Sequence, residues 1–484
     1  MDYDRYETVI GLEAHLQLAT QSKAFCGDEN RFGMPPNTEV SPVSLGHPGT
    51  LPRLNARQVE YALRLGLALG SGINQINTFD RKNYFYADLP KGYQITQDKQ
   101  PICVGGALPI MVGKAWKPIR IHHVHMEEDA GKSIHNLHPN RSLIDLNRAG
   151  TPLLEIVTQP DLRSAAEVDA FMRAIQRLAR YLEISDGNME EGSLRCDINV
   201  SVRLKGQEAF GERCEIKNIN SMRFARQAIE YEVRRQIDLV EAGGRVVQQT
   251  LNFDPVTGIT TPLRDKEDAH DYRYFPEPDL PPVVIAPETL EEIRSTLPAL
   301  PWEAYRELQA DFGLGDYDAA ILCEEKETVQ YFKILCAEQV NAKAIANLMI
   351  NRILPYCQEN RLSLQQFPLS SLQISGLVAL IETGQVSASI AYQRLFPALL
   401  EAPAGAAPES IAHQLNLLQH EDEEETNALV LQIIAEFPDK VTAYRKGKKG
   451  LIGFFMGELM KRSRGKADPS KATALFQQAL ENNG

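Results

Sequence analysis

The arrangement of apolar residues changes near Pro278–Pro282, and this change constrains the fold more than any other feature of the chain. Before it, short β-prone runs such as 8–10 and 199–203 recur between glycine and proline turn signals. Apolar residues at helical spacing interrupt these runs at 54–69 and 165–182. Because strands and helices do not alternate regularly, this part predicts an α+β fold built on an antiparallel sheet.

Beyond residue 290 the pattern is helical almost throughout, with amphipathic helices predicted at 328–352, 370–383 and 385–400. The Pro/Ala/Gly-rich segment 402–408 is typical of a linker between domains. The sequence therefore predicts an all-α helical domain and a small helical tail domain after the sheet domain. The predicted bounds of the three domains, in chain order, are 1–292, 293–402 and 409–484.

Composition narrows the class of protein. Apolar residues make up 43% of the 484 residues and charged residues 24%, which is ordinary for a globular chain and excludes a disordered one. No apolar run approaches the roughly 18–20 residues that span a bilayer, and the acidic N-terminus lacks the apolar core of a signal peptide. Seven cysteines are scattered without the density of a disulfide framework. We therefore expect a cytoplasmic protein without a membrane partner.

Glu13 and His15 form the first candidate site. They follow a β-prone run and, if the strand continues, they share one of its faces. A carboxylate beside an imidazole can ligate a divalent cation or exchange a proton. The alternative is a solvated strand edge, and this pair alone does not decide between the two.

The segment 122–129 holds three histidines and three successive acids within eight residues. Alternation along a strand puts His123, His125 and Glu127 on one face, and Glu128 on the other unless the strand ends there. Neighbouring carboxylates repel, so the cluster needs a cation or bases to offset it, and oxygen ligands of this kind suit Mg²⁺. The alternative is an acidic turn in solvent, with histidines that are ordinary sheet residues.

Glu155 and Glu215 complete the candidate set. Glu155 lies in an apolar stretch where an unpaired carboxylate is costly, so a ligand role and a salt bridge to Arg148 are both open. No Rossmann glycine fingerprint follows a predicted strand, and Met126 stands where a P-loop ending at 131–133 requires glycine. A nucleotide, if one is used, therefore binds to a different fold.

The net charge of −13, from 51 basic and 64 acidic residues, argues against a generally basic RNA-binding protein, but the charge is unevenly distributed. Residues 445–466 carry eight Lys/Arg against one acid, a local charge of +7, around an apolar stretch at 450–457. The predicted nucleic-acid contacts are Arg445, Lys446, Lys448, Lys449, Lys461, Arg462, Arg464 and Lys466. An apolar helix with basic ends can dock on a domain and present charge to phosphates, although a solvated helix or an anionic-membrane contact fits the same pattern.

A second basic segment is interleaved with aromatic residues. It comprises Arg81, Lys82 and Tyr84–Tyr86, followed by 91–93. Such a stretch can contact phosphates and stack a base. By itself it is equally typical of a half-buried strand and turn.

Taken together, these motifs resemble the B subunits of aspartyl/glutamyl-tRNA(Asn/Gln) amidotransferases over essentially the whole chain. The matching segments are 9–15, 45–52, 80–94, 127–132, 145–153, 190–197, 215–218, 269–279 and 450–466. So many long matches in one order are far more specific than any single short motif.

The resemblance implies an ATP-dependent carbon–nitrogen ligase that acts on tRNA misacylated with glutamate or aspartate. ATP phosphorylates the side-chain carboxylate, and ammonia then displaces phosphate to leave Gln-tRNA(Gln) or Asn-tRNA(Asn). It also implies a heterotrimer, in which an amidase, the A subunit, delivers ammonia from glutamine through a channel, and the small C subunit holds the two together. For the fold, it implies a cradle around the N-terminal antiparallel sheet, followed by a helical domain and a tail that helps to hold tRNA.

The resemblance also assigns roles to residues. Those implied to line the catalytic metal and phosphoryl site, with Mg²⁺ as the ion, are Glu13, His15, Glu127, Glu128, Glu155 and Glu215. Those implied to contact ATP phosphates or the tRNA end are Lys82, Lys91, Lys132 and Arg273. Phosphoryl transfer depends mostly on positioning and charge neutralisation, which suits a cluster of this kind.

The chain departs from the family at a zinc motif. Many members carry Cys-x-Cys followed by Cys-x-x-Cys, but here these positions are Cys26, Asp28, Ser41 and Ser44. With one thiolate of the usual four, we expect no structural zinc. We expect packing or hydrogen bonds to hold this loop instead.

Two other functions compete with the ligase. A non-catalytic tRNA-binding scaffold of the same complex needs no carboxylate cluster, so the presence of all six site residues argues against it. A metal-dependent phosphohydrolase would release phosphate without tRNA or partners. No serine–lysine amidase signature and no class I synthetase signature is evident, so we do not expect this chain to hydrolyse glutamine or to aminoacylate tRNA.

Overall fold

A computed structural model describes residues 2–135, 137–219, 221–263, 272–338, 341–418, 423–463 and 469–482. The chain forms two compact units, Met1–Ala304 and Tyr305–Gly484. The first combines a large sheet with helices and the second is helical, which confirms the predicted α+β fold class. The finer division into three domains stays a prediction.

The described strands of the first unit form one large sheet and three small ones. Their bounds are β1 (Tyr6–Gln17), β2 (Gly72–Ile73), β3 (Ile76–Asn77), β4 (Asp80–Asn83), β5 (Tyr93–Thr96), β6 (Cys103–Val104), β7 (Ala107–Val112), β8 (Ala115–Glu128), β9 (Lys132–Ile134), β10 (Leu143–Asp145), β11 (Pro152–Thr158), β12 (Leu194–Leu204), β13 (Cys214–Ile219), β14 (Gln249–Asp254), β15 (Ile259–Pro262), β16 (Phe275–Pro276) and β17 (Val283–Val284). The large sheet has the order β15-β14-β13-β12-β1-β11-β8-β6-β2, and β7 also pairs with β8. Its described pairings are antiparallel, apart from the parallel pair β13 and β14. The small sheets are β16-β4-β5, β10-β9 and β17-β3.

β1 shows how the sequence gives the large sheet two different faces. Leu12, Ala14 and Leu16 are buried in the hydrophobic core, and Glu13 and His15 alternate with them. Because successive side chains of a strand point to opposite faces, the two polar residues lie on the face away from this core. The predicted sharing of one face by Glu13 and His15 is therefore confirmed.

The helices of the first unit cover the apolar face. They are α1 (Ala56–Leu69), α2 (Ala165–Tyr181), α3 (Met222–Glu241) and α4 (Pro287–Ser295). α1 and α2 confirm the helices predicted at 54–69 and 165–182, and side-chain caps set where they begin. Asn55 accepts a hydrogen bond from the backbone N of Arg57, and Ser164 accepts one from the backbone N of Glu167.

The second unit is built from helices. They are α5 (Pro301–Ala310), which contains the boundary between the units, α6 (Asp316–Leu322), α7 (Lys326–Cys336), α8 (Ala342–Leu348), α9 (Leu354–Asn360), α10 (Ser371–Glu382), α11 (Ala388–Ile390), α12 (Phe396–Glu401), α13 (Pro408–Gln414), α14 (Glu423–Glu436), α15 (Pro438–Arg445), α16 (Ile452–Arg462) and α17 (Pro469–Asn482). A π-helical segment, Met349–Ile353, joins α8 to α9, and another, Ala391–Leu395, joins α11 to α12. α10 confirms the helix predicted at 370–383, and the run from α11 to α12 confirms the one at 385–400.

The single helix predicted at 328–352 is wrong, because α7 ends and α8 begins within it. The side chain of Asn341 accepts hydrogen bonds from the backbone N of Lys343 at 3.0 Å and of Ala344 at 3.2 Å. These bonds satisfy N–H groups that a new helix leaves without partners. Apolar periodicity that continues across the break therefore does not require one continuous helix.

The tail helices pack around an apolar core of their own, which includes Phe455, Leu459, Phe476 and Leu480. The predicted apolar helix with basic ends is confirmed as α16, which buries Phe455 and Leu459 and carries Lys461 exposed in its last turn. Across the described part of the chain, no helix is long and apolar enough to cross a membrane.

Candidate metal centre

The register of four neighbouring strands brings polar side chains into one row across the large sheet. His15 on β1 lies opposite Arg195 on β12 and opposite Glu155 on β11, and Glu155 lies opposite His125 on β8. These residues are far apart in sequence, so antiparallel pairing alone makes them neighbours. The next row brings Glu127 of β8 to the same face, because residues two apart on a strand share a face.

Three of the predicted ligands form a compact group. One ligand atom each of His15, Glu127 and Glu155 lies within 4.8 Å of the others. The Nε2 atom of His15 is 3.4 Å from a Glu155 carboxylate oxygen and 3.8 Å from one of Glu127. Two carboxylates and an imidazole nitrogen at this separation can hold a divalent cation. The alternative salt bridge from Glu155 to Arg148 is not formed, since Arg148 instead lies 3.6 Å from Asp129.

Protons offset the charge of these acids when no cation does. Burial opposes protonation of His125, but the charge of Glu155 and hydrogen bonds with Glu127 and Glu155 outweigh it and raise the pKa of His125 to about 10. Burial likewise opposes protonation of His15, and Glu155 and Glu127 again prevail and raise its pKa. Burial alone would raise the pKa of Glu155, but His125 and His15 hold it well below the usual range.

Glu13 links this group to a second set of acids. Its side chain accepts a hydrogen bond from Asn199 Nδ2 at 3.0 Å. Burial, followed by the charges of Glu155 and Glu215, raises the pKa of Glu13. Asp197 on β12 lies directly opposite Glu13 and adds to the same effect. The accumulated negative charge is what a site for cations requires.

Lys217 partly neutralises this second set. Its Nζ atom lies 2.9 Å from a carboxylate oxygen of Asp197 and 2.9 Å from one of Glu215. Burial opposes its charge, but Asp197 and Glu215 outweigh burial and raise the pKa of Lys217. Glu215 also accepts a hydrogen bond from Thr250 at 3.0 Å. The predicted ligand Glu215 therefore lies near Glu13 and is not a member of the group of His15, Glu127 and Glu155. It is already paired with Lys217.

Glu128 is not brought to the metal centre. β8 continues through Glu128, so alternation turns its side chain away from the face that carries Glu127. There Glu128 forms an ion pair with Lys91 and accepts a hydrogen bond from the backbone N of Ile95 at 2.9 Å. Glu128 and Lys91 line a separate cavity of about 570 Å³ that also includes Cys26.

An open cavity of about 1300 Å³ lies over the polar face. His15, Glu127 and Asp197 line it together with the basic residues Lys82, Arg148, Arg195 and Lys217. Acids that can hold a cation thus face bases that can hold phosphate within one space.

Of the four residues predicted to contact phosphate, Lys82 lines this cavity. Burial opposes the charge of Lys82, but the nearby acid Glu127 and other neighbours outweigh burial and raise the pKa of Lys82. Lys91 is paired with Glu128 elsewhere. Lys132 lies on β9 with its amine 5.6 Å from the ring centre of Phe32, and Arg273 is exposed. The phosphate roles of all four stay predictions.

The prediction that His123, His125 and Glu127 share a face of β8 is confirmed. His123 Nε2 lies 3.2 Å from His125 Nδ1, and His125 in turn contacts Glu127 and Glu155. The register between β8 and β11 shifts beside His123. Neighbouring side chains of a regular strand point to opposite faces, but at this irregularity His122 Nδ1 lies 2.6 Å from His123 Nδ1. Burial, together with the neighbouring imidazoles, lowers the pKa of His123 to about 4.

Hydrogen bonds hold the loop that carries Cys26, Asp28, Ser41 and Ser44, as predicted. Asp28 accepts a hydrogen bond from Ser44 Oγ at 2.6 Å and one from the backbone N of Ser41 at 3.0 Å. Burial raises the pKa of the remaining Cys26 thiol to about 11. Three of the four motif positions thus contact one another directly through oxygen and nitrogen.

The predicted nucleic-acid residues are only partly available to a ligand. Arg464 and Lys466 lie outside the described residues. Arg445 donates to a backbone carbonyl at 2.9 Å, and Arg462 forms two hydrogen bonds with Glu436 at 2.9 and 2.6 Å. The exposed lysines of this set are Lys446, Lys448, Lys449 and Lys461.

Sequence reasoning missed Arg195 and Asp197 as members of the site. Both lie on β12 on the face of His15 and Glu13, and both line the cavity. The sequence pattern around them did not indicate a site, because they stand two apart in a strand with no cluster of acids or histidines. They fall, however, within the segment 190–197 that resembles the family.

A carboxylate–imidazole group beneath a cavity with basic walls is typical of a metal-assisted enzyme that acts on phosphates. The family model described as the GatB/GatE catalytic domain matches residues 8–291, and a GatB domain model matches residues 330–480. The chain belongs to the GatB family.

Curated relatives match it over nearly their whole length. The B subunit of the aspartyl/glutamyl-tRNA(Asn/Gln) amidotransferase of Solidesulfovibrio magneticus is 47% identical over 98% of this chain and 99% of the relative. The B subunits of the same enzyme from Persephonella marina and Myxococcus xanthus are 44% and 45% identical, over 98% and 99% of this chain and the full length of each relative.

Asp129 gives a pH-dependent prediction for stability. Burial would raise its pKa, but Arg195 at 2.6 Å, Arg148 and a hydrogen bond from Gln17 lower it. A carboxyl whose folded pKa is depressed stabilises the fold above its unfolded pKa of about 3.9, and that contribution is lost as pH falls through the folded pKa. We expect Asp129→Asn to lower the free energy of unfolding by roughly 3–5 kcal/mol at pH 7, and by progressively less below about pH 4.

Urea unfolding of both proteins from pH 7 to pH 4 and below measures this difference. The matched control is Asp169→Asn, which breaks an exposed ion pair with Arg173 on α2 and should cost less than about 1 kcal/mol. A loss for Asp129→Asn that stays constant with pH would contradict the role given to its charge.

Proposed function

We propose that this chain acts as the B subunit of an ATP-dependent aspartyl/glutamyl-tRNA(Asn/Gln) amidotransferase. It phosphorylates the side-chain carboxylate of glutamate or aspartate on a misacylated tRNA, and ammonia then displaces the phosphate. The products are Gln-tRNA(Gln) or Asn-tRNA(Asn), ADP and phosphate. The observation that carries the proposal is the group of His15, Glu127 and Glu155 in a chain that belongs to the GatB family. His15 and Glu127 of this group line one cavity together with basic residues.

Physical chemistry explains why such a site needs both kinds of residue. A carboxylate does not react with ammonia because its leaving group would be oxide, whereas phosphate is a good leaving group. His15, Glu127 and Glu155 would hold Mg²⁺, which when bound neutralises charge on the transferred phosphoryl group. Glu13, close to Glu155 and to further acids, extends the negative surface that favours cations.

The basic residues of the cavity take the complementary role. Lys82 and Arg195 would position phosphate oxygens and the reacting carboxylate by charge and hydrogen bonding. Arg195 is itself held by Asp129 at 2.6 Å, so its guanidinium is fixed before a substrate arrives. Glu128, which lies on the other side of β8 with Lys91, is not a ligand of the same ion in this proposal.

The assembly and location follow from the same proposal. The A subunit, an amidase, supplies ammonia from glutamine, and the small C subunit makes the complex a heterotrimer, which works in the cytoplasm. The exposed lysines of the tail contact the phosphate backbone of the tRNA.

The decisive experiment reconstitutes the chain with its amidase and small partners and supplies Glu-tRNA(Gln), ATP, Mg²⁺ and glutamine. We expect Gln-tRNA formation with the wild-type chain and its loss with Glu127→Gln, because a ligand becomes neutral. Loss of an outer-shell partner of a bound metal typically lowers its affinity roughly 10–100-fold. Because Glu127 would be a direct ligand, we expect Glu127→Gln to weaken Mn²⁺ binding by at least that factor, measured by electron paramagnetic resonance.

The adjacent variant Glu128→Gln is the matched control for the metal centre. Its Mn²⁺ affinity should equal that of the wild type, because the side chain faces away from the group. Full amidation by Glu127→Gln would sink the proposed site. Phosphate release from ATP without tRNA or partners would favour a phosphohydrolase, and tRNA binding without any ATP-dependent product would favour a scaffold.

The tail gives a separate prediction. Lys446→Ala combined with Lys448→Ala should weaken tRNA binding and lower the slope of log affinity against log salt by about 0.7–0.9 for each lost phosphate contact. The matched control is Lys99→Ala combined with Lys205→Ala, two exposed lysines of the first unit. Filter binding over a salt series measures both slopes, and equal slopes for the two double variants would refute the tail's role.

A further inference from the structure

Four tyrosines around β4 form a row that the metal centre does not use. The ring centres of Tyr86 and Tyr84 are 5.8 Å apart, those of Tyr84 and Tyr272 are 6.1 Å apart, and those of Tyr272 and Tyr274 are 5.9 Å apart. Each neighbouring pair meets edge to face, an arrangement that aromatic quadrupoles favour. We call these four rings the tyrosine row.

The backbone beneath the tyrosine row is held firmly. The backbone N of Asn83 donates to the carbonyl of Tyr272 at 2.9 Å, which continues the pairing of β4 with β16. Arg81 binds the carboxylate of Glu277 through two hydrogen bonds of 2.7 and 2.8 Å, and its guanidinium lies 4.2 Å from the ring centre of Tyr93. A backbone fixed in this way loses little conformational entropy when a ligand binds.

Both ends of the tyrosine row reach solvent, and its middle reaches the cavity of the metal centre. Tyr86 and Tyr274 at its ends are 47% and 39% exposed. Tyr84 lines the cavity together with Lys82 and Glu127. The amine of Lys82 lies 4.8 Å from the ring centre of Tyr272, so one cation touches both the row and the cavity.

These features match a particular kind of ligand. A stacking surface suits a flat nucleobase, and stacking tolerates any base because every base has a π-face. The adjacent lysine suits the phosphate that accompanies such a base. An end of the ligand that enters the cavity must also carry the group that reacts at the metal centre.

We propose that the tyrosine row stacks the unpaired 3′-terminal base of the tRNA acceptor end on one of its two exposed end rings, Tyr86 or Tyr274. This inference rests on the proposed function, in which the amino acid joined to that terminal nucleotide must reach His15 and Glu127. A base held at one exposed end of the row leaves the attached side chain free to extend inward past Lys82. The row thereby contributes binding of the acceptor end rather than chemistry.

The test compares the affinity of the reconstituted complex for two uncharged tRNA transcripts, one intact and one without its 3′-terminal nucleotide. The wild type should bind the intact transcript about ten-fold more tightly, the size of one stacked base. The double variant Tyr86→Ala/Tyr274→Ala should bind both transcripts equally. Tyr86→Phe/Tyr274→Phe keeps both rings and should retain the wild-type difference, and Tyr317→Ala, with a tyrosine 71% exposed in α6, is the remote control.

Steady-state kinetics give an independent readout. The double alanine variant should raise KM for the misacylated tRNA about ten-fold and leave KM for ATP unchanged, because the base rather than the phosphoryl site is altered. An unchanged transcript difference in that variant overturns the inference, and so does an equal rise in KM for ATP, which would assign the row to a free nucleotide. A wild-type complex that makes no amidated tRNA would defeat the proposed function, whereas the transcript comparison would still test the row.

Discussion

The antiparallel register of β12, β1, β11 and β8 is the constraint on which the candidate site depends. It places His15 between Arg195 and Glu155, and Glu155 beside His125. A slip of one residue would turn every side chain of a strand to the opposite face. Because the core requires Leu12, Ala14 and Leu16 of β1 to be buried, the same packing that stabilises the sheet fixes the polar face.

Electrostatics make that face unsuited to a purely structural role. Replacing buried charges with well-packed apolar residues is often neutral or stabilising, so a cluster of buried acids is weak support for stability. Here Glu155 is balanced by two imidazoles with raised pKa values, and the pKa of Glu13 is raised by its acidic neighbours. A bound divalent cation would neutralise these acids in place of the protons on the imidazoles. The arrangement therefore favours metal binding over a role in packing the core.

How much the sequence predicts depends on whether a contact lies within one strand or between strands. Alternation correctly placed Glu13 with His15, and His125 with Glu127, because period two is a local property. The partners across strands, such as Arg195, depend on register and strand order, which local pattern does not determine. Likewise, whether Glu128 joins the group depended on where β8 ends. At the fold level, the α+β class followed from the mixture of patterns, but the helix break at Asn341 depended on a single capping side chain.

We propose that the polar face of the large sheet binds a divalent cation at His15, Glu127 and Glu155. The most direct measurement is the anomalous X-ray difference map of crystals soaked in Mn²⁺, a stand-in for Mg²⁺ with similar oxygen preference. We predict a peak at bonding distance from His15 Nε2 and from carboxylate oxygens of Glu127 and Glu155, and its loss in Glu127→Gln crystals. A map with no peak among these three residues, or with its strongest peak beside Glu128 on the other side of β8, would contradict it.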